Sequence, residues 1–263
     1  MNSDINQSIK ISIITVCRNS AATIAKTIES VLDHKNATLE YIIIDGGSTD
    51  GTQDIVKSYS GIDHFVSEPD QGIADAFNKG IRLAIGEIIG LINADDTLLP
   101  ESLDTVMQFF LQYESIDVLH GDLLLYDGER IVKRLKPSGR WWYPWRLVLF
   151  NHPATFVRRS IYQRYGLFDT SFHIAMDVEI FLRWQTKGVR ICYLPEILAN
   201  MQIGGASEQN ALTGYREVRK AVLQHGLSPL LAHLQLMGKM TIWRLLQLRC
   251  KVVGSNQSDN YKW

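Results

Sequence analysis

Three acidic features carry the chemical interest of this chain: two close runs of β-branched residues, and the third opens a helix-like apolar segment. Asp45 closes Tyr41-Ile42-Ile43-Ile44, and Gly46, Gly47 and Gly51 after it leave the backbone bare enough for a ligand to approach. The same acid also reads as a turn residue, with Ser48 capping the next helix. Asn93-Ala94-Asp95-Asp96 ends Ile88-Ile89-Gly90-Leu91-Ile92. Two adjacent carboxylates at the end of a buried strand repel each other unless a positive charge lies between them, and a hard divalent cation bound to phosphate oxygens is the usual answer. A helix cap ahead of Pro100 explains one of these acids but not both. Asp177 stands in Met176-Asp177-Val178-Glu179, just before Ile180-Phe181-Leu182-Arg183-Trp184. There it can act as a base or merely complement the helix dipole, and the residues alone leave both readings open. Glu179 and Arg183 are four apart and read as an ion pair on one helix face.

The elements that must position these acids alternate between strand and helix from Ile11 to Asp96, the pattern of βαβ units in a parallel sheet. Strands are expected at Ile11 to Cys17, Leu39 to Asp45, His64 to Ser67 and Glu87 to Asn93. Helices are expected from Ala21 to His34, Thr52 to Tyr59, Ile73 to Ala84 and Glu101 to Tyr113. In such sheets ligands bind beyond the carboxyl ends of the strands, where all three acidic features fall. Later strands are expected at Asp117 to His120, Asp122 to Tyr126, Arg130 to Leu135, Ala154 to Arg158 and Val189 to Leu194. A helix is expected from Met176 to Lys187, and two more from Ala211 onward, split around Leu227 to Pro229.

Composition limits the function classes. A formal net charge of -1 gives no overall attraction for nucleic acid. Cys17, Cys192 and Cys250 are odd in number and widely spaced, which points to neither a disulfide framework nor a zinc site and fits a cytoplasmic setting. No export signal or membrane span is visible. The GxGxxG dinucleotide fingerprint, the GxxxxGK[ST] phosphate loop, the GxSxG elbow and the HExxH helix are all missing.

In this order the motifs resemble the glycosyltransferase family 2 domain, the inverting GT-A class. The matching residues are Ile13-Ile14-Thr15-Val16-Cys17-Arg18-Asn19, then Ile44-Asp45-Gly46-Gly47-Ser48-Thr49-Asp50-Gly51-Thr52, then Asp70-Gln71-Gly72-Ile73-Ala74-Asp75-Ala76-Phe77-Asn78-Lys79-Gly80-Ile81. They continue with Leu91-Ile92-Asn93-Ala94-Asp95-Asp96, His152-Pro153-Ala154-Thr155-Phe156 and Met176-Asp177. The resemblance implies an α/β GT-A fold, a Rossmann-like mixed sheet flanked by helices, over residues 1–207, with 208–263 a C-terminal helical appendage. It further implies a nucleoside diphosphate sugar donor held by Thr15, Val16, Cys17, Asn19, Asp45, Gly46, Gly72, Asp75, Asn78, Asp95 and His152. Within that set Asp45 would accept a bond from the base. Asp95 would meet ribose or metal, Asp96 would bind Mg²⁺ or Mn²⁺, and Asp177 would be the general base of an inverting transfer. Two departures stand out. Phe77 replaces an arginine that many members place before the asparagine, so phosphate neutralisation must lean on the metal, Lys79 or another group. Met176 replaces the usual acid before the base.

Trp141, Trp142, Tyr143 and Trp145 gather ahead of His152, either as a sugar-stacking acceptor wall or as a hydrophobic plug over the sheet. From Gly214 to Lys251 seven basic residues face Glu217 alone, beside a Leu- and Met-rich stripe. That segment reads as a peripheral contact with the inner membrane surface, bringing the site to a glycan or lipid-linked acceptor, or as a homodimer face.

Overall fold

The computed structural model describes residues 9–34, 38–136, 151–205 and 210–226. Its first half is a βα alternation: β1 (Ile11–Cys17), α1 (Ile24–Leu32), β2 (Leu39–Asp45), α2 (Thr52–Lys57), β3 (His64–Ser67), α3 (Ile73–Leu83) and β4 (Ile88–Asn93). Strands β3, β2, β1 and β4 lie side by side and parallel, with Cys17 opposite Asp45 and Val16 opposite Asn93. The functional ends of β1, β2 and β4 are therefore level. Both faces of this sheet are covered, which explains why its strands are nearly unbroken apolar runs. Ile14, Val16, Ile42 and Ile44 pack with Phe77 and Ile81 of α3 on one face, while Ile13, Tyr41 and Ile43 pack with Ile24 and Ile28 of α1 on the other.

The second half completes the sheet with mixed strand directions. It comprises β5 (Thr97–Leu98), α4 (Ser102–Gln112), β6 (Val118–Asp127), β7 (Arg130–Leu135), a short 3-10 turn (His152–Ala154), β8 (Thr155–Arg158), α5 (Arg159–Tyr165), α6 (Met176–Thr186), β9 (Ile191–Gln202) and α7 (Ala211–Gln224). The strand order is β3-β2-β1-β4-β8-β6-β9-β5, with β7 paired to β6. β8 runs antiparallel to both β4 and β6, and so carries the His152 turn to the carboxyl end of β4.

Three expectations need correction. The two strands expected at Asp117 to His120 and Asp122 to Tyr126 are one strand, β6, whose register with β9 shifts across Gly121. Gly121 allows that shift because a Cβ there would sit 2.8 Å from the Glu196 carbonyl oxygen. The strand expected to stop at Leu194 continues to Gln202, since Pro195, lacking an N–H, falls at the irregularity where no ladder bond is demanded. Helix α5 was not expected. Its seven residues bury only Ile161 and Tyr162, too short a pattern to declare a period.

Candidate active site

A cleft of about 740 Å³ opens where β1 and β4 end. Its walls are the turn after β1 (Val16 to Ser20), the turn after β4 (Asn93 to Asp96), the His152–Pro153 turn and the start of α6 with the residues before it, His173 to Asp177. Gly72 and Ile73 at the start of α3, and Met201 and Gln202 at the end of β9, close it. Four carboxylates line this space, those of Asp70, Asp95, Asp96 and Asp177, against one guanidinium, that of Arg18, and no lysine among the described residues.

The turn after β4 is fixed from beneath, where Thr27 Oγ1 of α1 donates to the Asp96 carbonyl at 2.8 Å. Asp96 is 1% exposed. Burial, and then the neighbouring Asp95, push its carboxyl well above the ordinary range, only partly offset by bonds from the Asn93 side chain (3.2 Å) and the Gln202 backbone. Burial raises Asp95 as well. Two acids whose ionised forms are disfavoured in this way are suited to a cation. The buried Oδ1 of Asn93, which has no hydrogen-bond partner, adds an unused acceptor beside them. Among the described residues no three His, Cys, Asp or Glu side chains cluster as a self-sufficient cage. One or two carboxylates, completed by substrate phosphates and water, is the Mg²⁺ pattern rather than that of a dedicated protein site.

His152 lies across from this turn, its Nε2 2.9 Å from Asn93 Nδ2. Since the amide nitrogen can only donate, Nε2 accepts and the proton sits on Nδ1. Burial lowers the His152 pKa to about 4, so the ring is neutral and supplies no positive charge to a phosphate. Phe77 meets the ring edge-on, with 6.0 Å between centroids.

Asp177 reaches the same cleft as the second residue of α6. The Val178 N–H donates to its Oδ1 at 2.7 Å. Burial in the cleft raises its pKa to about 6, against a weaker lowering by that backbone bond. A carboxylate poised near neutral pH beside an open cavity is the condition under which general-base catalysis works best.

Several sequence-named residues stand behind the wall rather than on it. Asp45 is completely buried. It accepts bonds from the Ser48 hydroxyl, Ser48 N–H (3.0 Å), Ser67 Oγ (2.6 Å) and the Cys17 thiol (3.6 Å). Burial alone would raise its pKa, but these bonds outweigh it and hold the carboxyl below its usual value. Its visible work is structural, because Ser48 Oγ in turn accepts the Asn19 N–H at 2.7 Å and so ties the β1 and β2 turns together. Thr15 is buried and pairs with the Tyr41 hydroxyl at 3.1 Å. Asn78 spends both ends of its amide on the Phe168 backbone, each bond 2.9 Å. Asp75 accepts from Gln71 N–H, and Lys79 is taken up by Glu68 at 2.9 Å, Asp75 at 3.5 Å and the Pro69 carbonyl. Lys79 is not among the residues that line the cleft. Glu179 and Arg183 do pair, with Glu179 buried and Arg183 part-buried, and Arg183 also ties α6 to the Tyr165 and Leu167 carbonyls.

Asp70, Arg18 and His173 reach the cleft although no role was assigned to them from sequence. The signal for Asp70 was the glycine at 46. A Cβ there would lie 2.2 Å from Asp70 Oδ2 and 3.4 Å from Arg18 Cδ, so this residue must be bare for the acid and the base to share the floor. Gly46→Ala is expected to fold normally, because only a side-chain tip must move, while displacing Asp70. Melting temperature within a few degrees of the parent, with weakened nucleotide binding in a titration, checks this.

A mixed α/β sheet with a nucleotide-sized cleft at the ends of its parallel strands, lined by an acid pair and a further carboxylate, is the GT-A arrangement of glycosyltransferases. The glycosyl transferase family 2 model matches residues 12–181, and the chain belongs to that family. It is 29% identical over 211 residues to a PGL/p-HBAD biosynthesis glycosyltransferase of Mycobacterium bovis, covering 74% of this chain and 78% of that one. Its fold is similar to S. aureus TarS 1–349 in complex with UDP (TM-score 0.64, 19% identity, 85% of this chain and 68% of that one). It is likewise similar to the mannosyltransferase PcManGT of Pyrobaculum calidifontis in complex with GDP-Man and Mn²⁺ (TM-score 0.63, 15% identity, 97% and 83%). The protein is a glycosyltransferase enzyme.

Proposed function

We propose that this glycosyltransferase moves a sugar from a nucleoside diphosphate donor to an acceptor hydroxyl with inversion, using Asp177 as the base and Asp95 and Asp96 to hold Mg²⁺ or Mn²⁺. The observation that carries the reading is the presence, in one cleft, of an acid couple raised by burial, with Asp96 raised further by Asp95, together with a carboxylate whose pKa is raised to about 6. Four carboxylates against one arginine would repel a diphosphate. A Mg²⁺ or Mn²⁺ ion held by Asp95 and Asp96 would reverse that balance and supply positive charge to the departing diphosphate. The chain's own residues do the rest. Asp177 holds the acceptor hydroxyl and takes its proton as the oxygen bonds to the anomeric carbon, opposite the leaving group. Neutral His152 orients Asn93 beside the acid pair. Val16, Cys17, Asn19 and Gly72 form the donor wall, with Asp45 behind them holding the turns in place.

The acceptor is a glycan or lipid-linked alcohol, in the assembly of cell-surface polysaccharide. Among the described residues no helix is long and apolar enough to cross a membrane. Trp141 to Trp145 and the stripe beyond Leu227, proposed to meet acceptor, the cytoplasmic face of a membrane or a second copy, lie outside the described residues. The division after residue 207 is likewise a proposal; α7, beyond it, packs Ala221 and Val222 into the same core as Trp184.

A thermal-shift screen of UDP-, GDP- and dTDP-sugars tests the reading. One donor class should raise the melting temperature with Mn²⁺ and do so far less without it. No shift with any donor at millimolar concentration would remove it.

A further inference from the structure

Helix α6, which carries Asp177, has no side-chain cap of its own. Its cap residue is Ala175, among the poorest choices for that position. A carboxylate from another part of the chain instead holds the residues that lead into the helix. Glu217 of α7, 8% exposed, points its carboxylate at three successive backbone N–H groups. His173 donates to Oε1 at 3.0 Å and to Oε2 at 3.1 Å, Ile174 to Oε2 at 2.8 Å, and Ala175 to Oε2 at 2.9 Å. A buried carboxylate needs such donors, and charge-assisted bonds of this kind are about twice as strong as neutral ones. The three residues it holds immediately precede Met176 and Asp177, and His173, Ile174, Met176 and Asp177 all face the cleft.

The rest of α7 grips the same stretch. Lys220 Nζ donates to Ser171 Oγ at 2.8 Å and lies 4.2 Å from the Phe172 ring centroid, and His225 Nε2 meets Glu179 at 3.0 Å. Gly214 lets the helix approach, since a Cβ there would lie 3.1 Å from Ile174 Cγ2. All these α7 residues fall outside the family-matched region, which ends at 181.

We infer that Glu217 is a positioning residue for the transfer reaction: by binding the 173–175 backbone from behind, it sets the height and direction at which Asp177 enters the cleft. This inference rests on the reading of Asp177 as the base. Glu217 touches neither donor nor acceptor, so its loss should appear in the chemical step rather than in donor binding. A displacement of about 1 Å at a reacting group is enough to slow the chemistry on the order of 10²-fold.

The test compares Glu217→Ala, Glu217→Gln and Glu217→Asp with the parent and with Asp177→Asn in the full chain. Turnover is read as release of nucleoside diphosphate from UDP-, GDP- and dTDP-sugars with Mn²⁺, water standing in for the acceptor hydroxyl, and backbone amide exchange is followed at 173–175. Glu217→Ala should lose kcat on the order of 10²-fold at nearly unchanged donor KM, with faster exchange at 173–175. Glu217→Gln, which keeps one oxygen for the Ile174 and Ala175 N–H groups, should recover most of the rate. Glu217→Asp, a methylene short, should recover less. Should the alanine variant fail to fold, the ranking of Gln above Asp in kcat carries the test. Parent-level kcat in the folded variants, or a loss that tracks melting temperature alone with no Gln rescue, overturns the inference. Full turnover by Asp177→Asn would instead sink the base assignment, whatever Glu217 does.

Discussion

Asp177→Asn is expected to lower transfer by about 10²–10⁴-fold while donor affinity stays at the parent level, because a general base acts in the transition state and not on the bound nucleotide. The amide keeps the shape of the carboxyl and can still accept the Val178 N–H bond, so geometry is retained and only proton acceptance is lost. Steady-state rates beside a donor titration separate the two effects, and a variant within a few-fold of parent turnover would exclude Asp177 from the chemistry. In the parent, the pKa of about 6 requires the rate to fall as pH drops through that value, since a protonated Asp177 cannot take the acceptor's proton. The same pKa fixes the sign of a stability effect. A carboxyl raised on folding favours the native state only while protonated, so its contribution is complete below its ordinary pKa near 4 and is lost as pH rises through 6. Asp177→Asn should therefore be at least as stable as the parent at pH 7.5, by up to about 3 kcal/mol, with no advantage at pH 3. Denaturant melts at the two pH values read this directly.

The second large effect belongs to Asp96. Asp96→Ala should weaken Mn²⁺-dependent binding of UDP or GDP by at least about 10–100-fold, the range already seen when a mere supporting contact to a metal site is removed. Metal-independent binding should change much less, because Val16, Cys17 and Asn19, proposed as the nucleoside wall, line the cleft and are untouched. Calorimetric titration with and without Mn²⁺ makes the comparison, and equal losses in both conditions would show that Asp96 serves the nucleoside or the fold instead. The alanine should not unfold the chain. Ionised Asp96 is itself disfavoured in its buried position, and removing a charge under such strain offsets the small cavity left behind.

Much of this architecture was legible in the residues. The runs ending at Cys17, Asp45 and Asn93 are continuous because both faces of the sheet are covered; the ends at Cys17 and Asn93 line the cleft, while Asp45 stands behind it. Asp95 and Asp96 stood out because a helix cap accounts for one acid after β4 and not for two, and both line the cleft, as does Asp177 at the start of α6. What stayed hidden depended on partners distant in sequence. Asp45, Thr15 and Asn78 sit within conspicuous motifs, yet their polar atoms are consumed by Ser48, Tyr41 and the Phe168 backbone, pairings that no periodicity reveals. Asp70 was quoted within its motif but earned no role, because only the fold places its carboxylate over Gly46. Glu217 appeared as a lone acid in a basic segment, a pattern that gave no hint of three backbone N–H groups more than 40 residues upstream.

The anomeric configuration of the product bears most directly on the central claim, that one carboxylate on the far side of the sugar from the metal-held diphosphate drives a single displacement. Proton NMR of the newly formed linkage, read against the configuration of the donor, should show inversion. Retention would require a second displacement or a nucleophile on the leaving-group side, and would contradict the role given to Asp177.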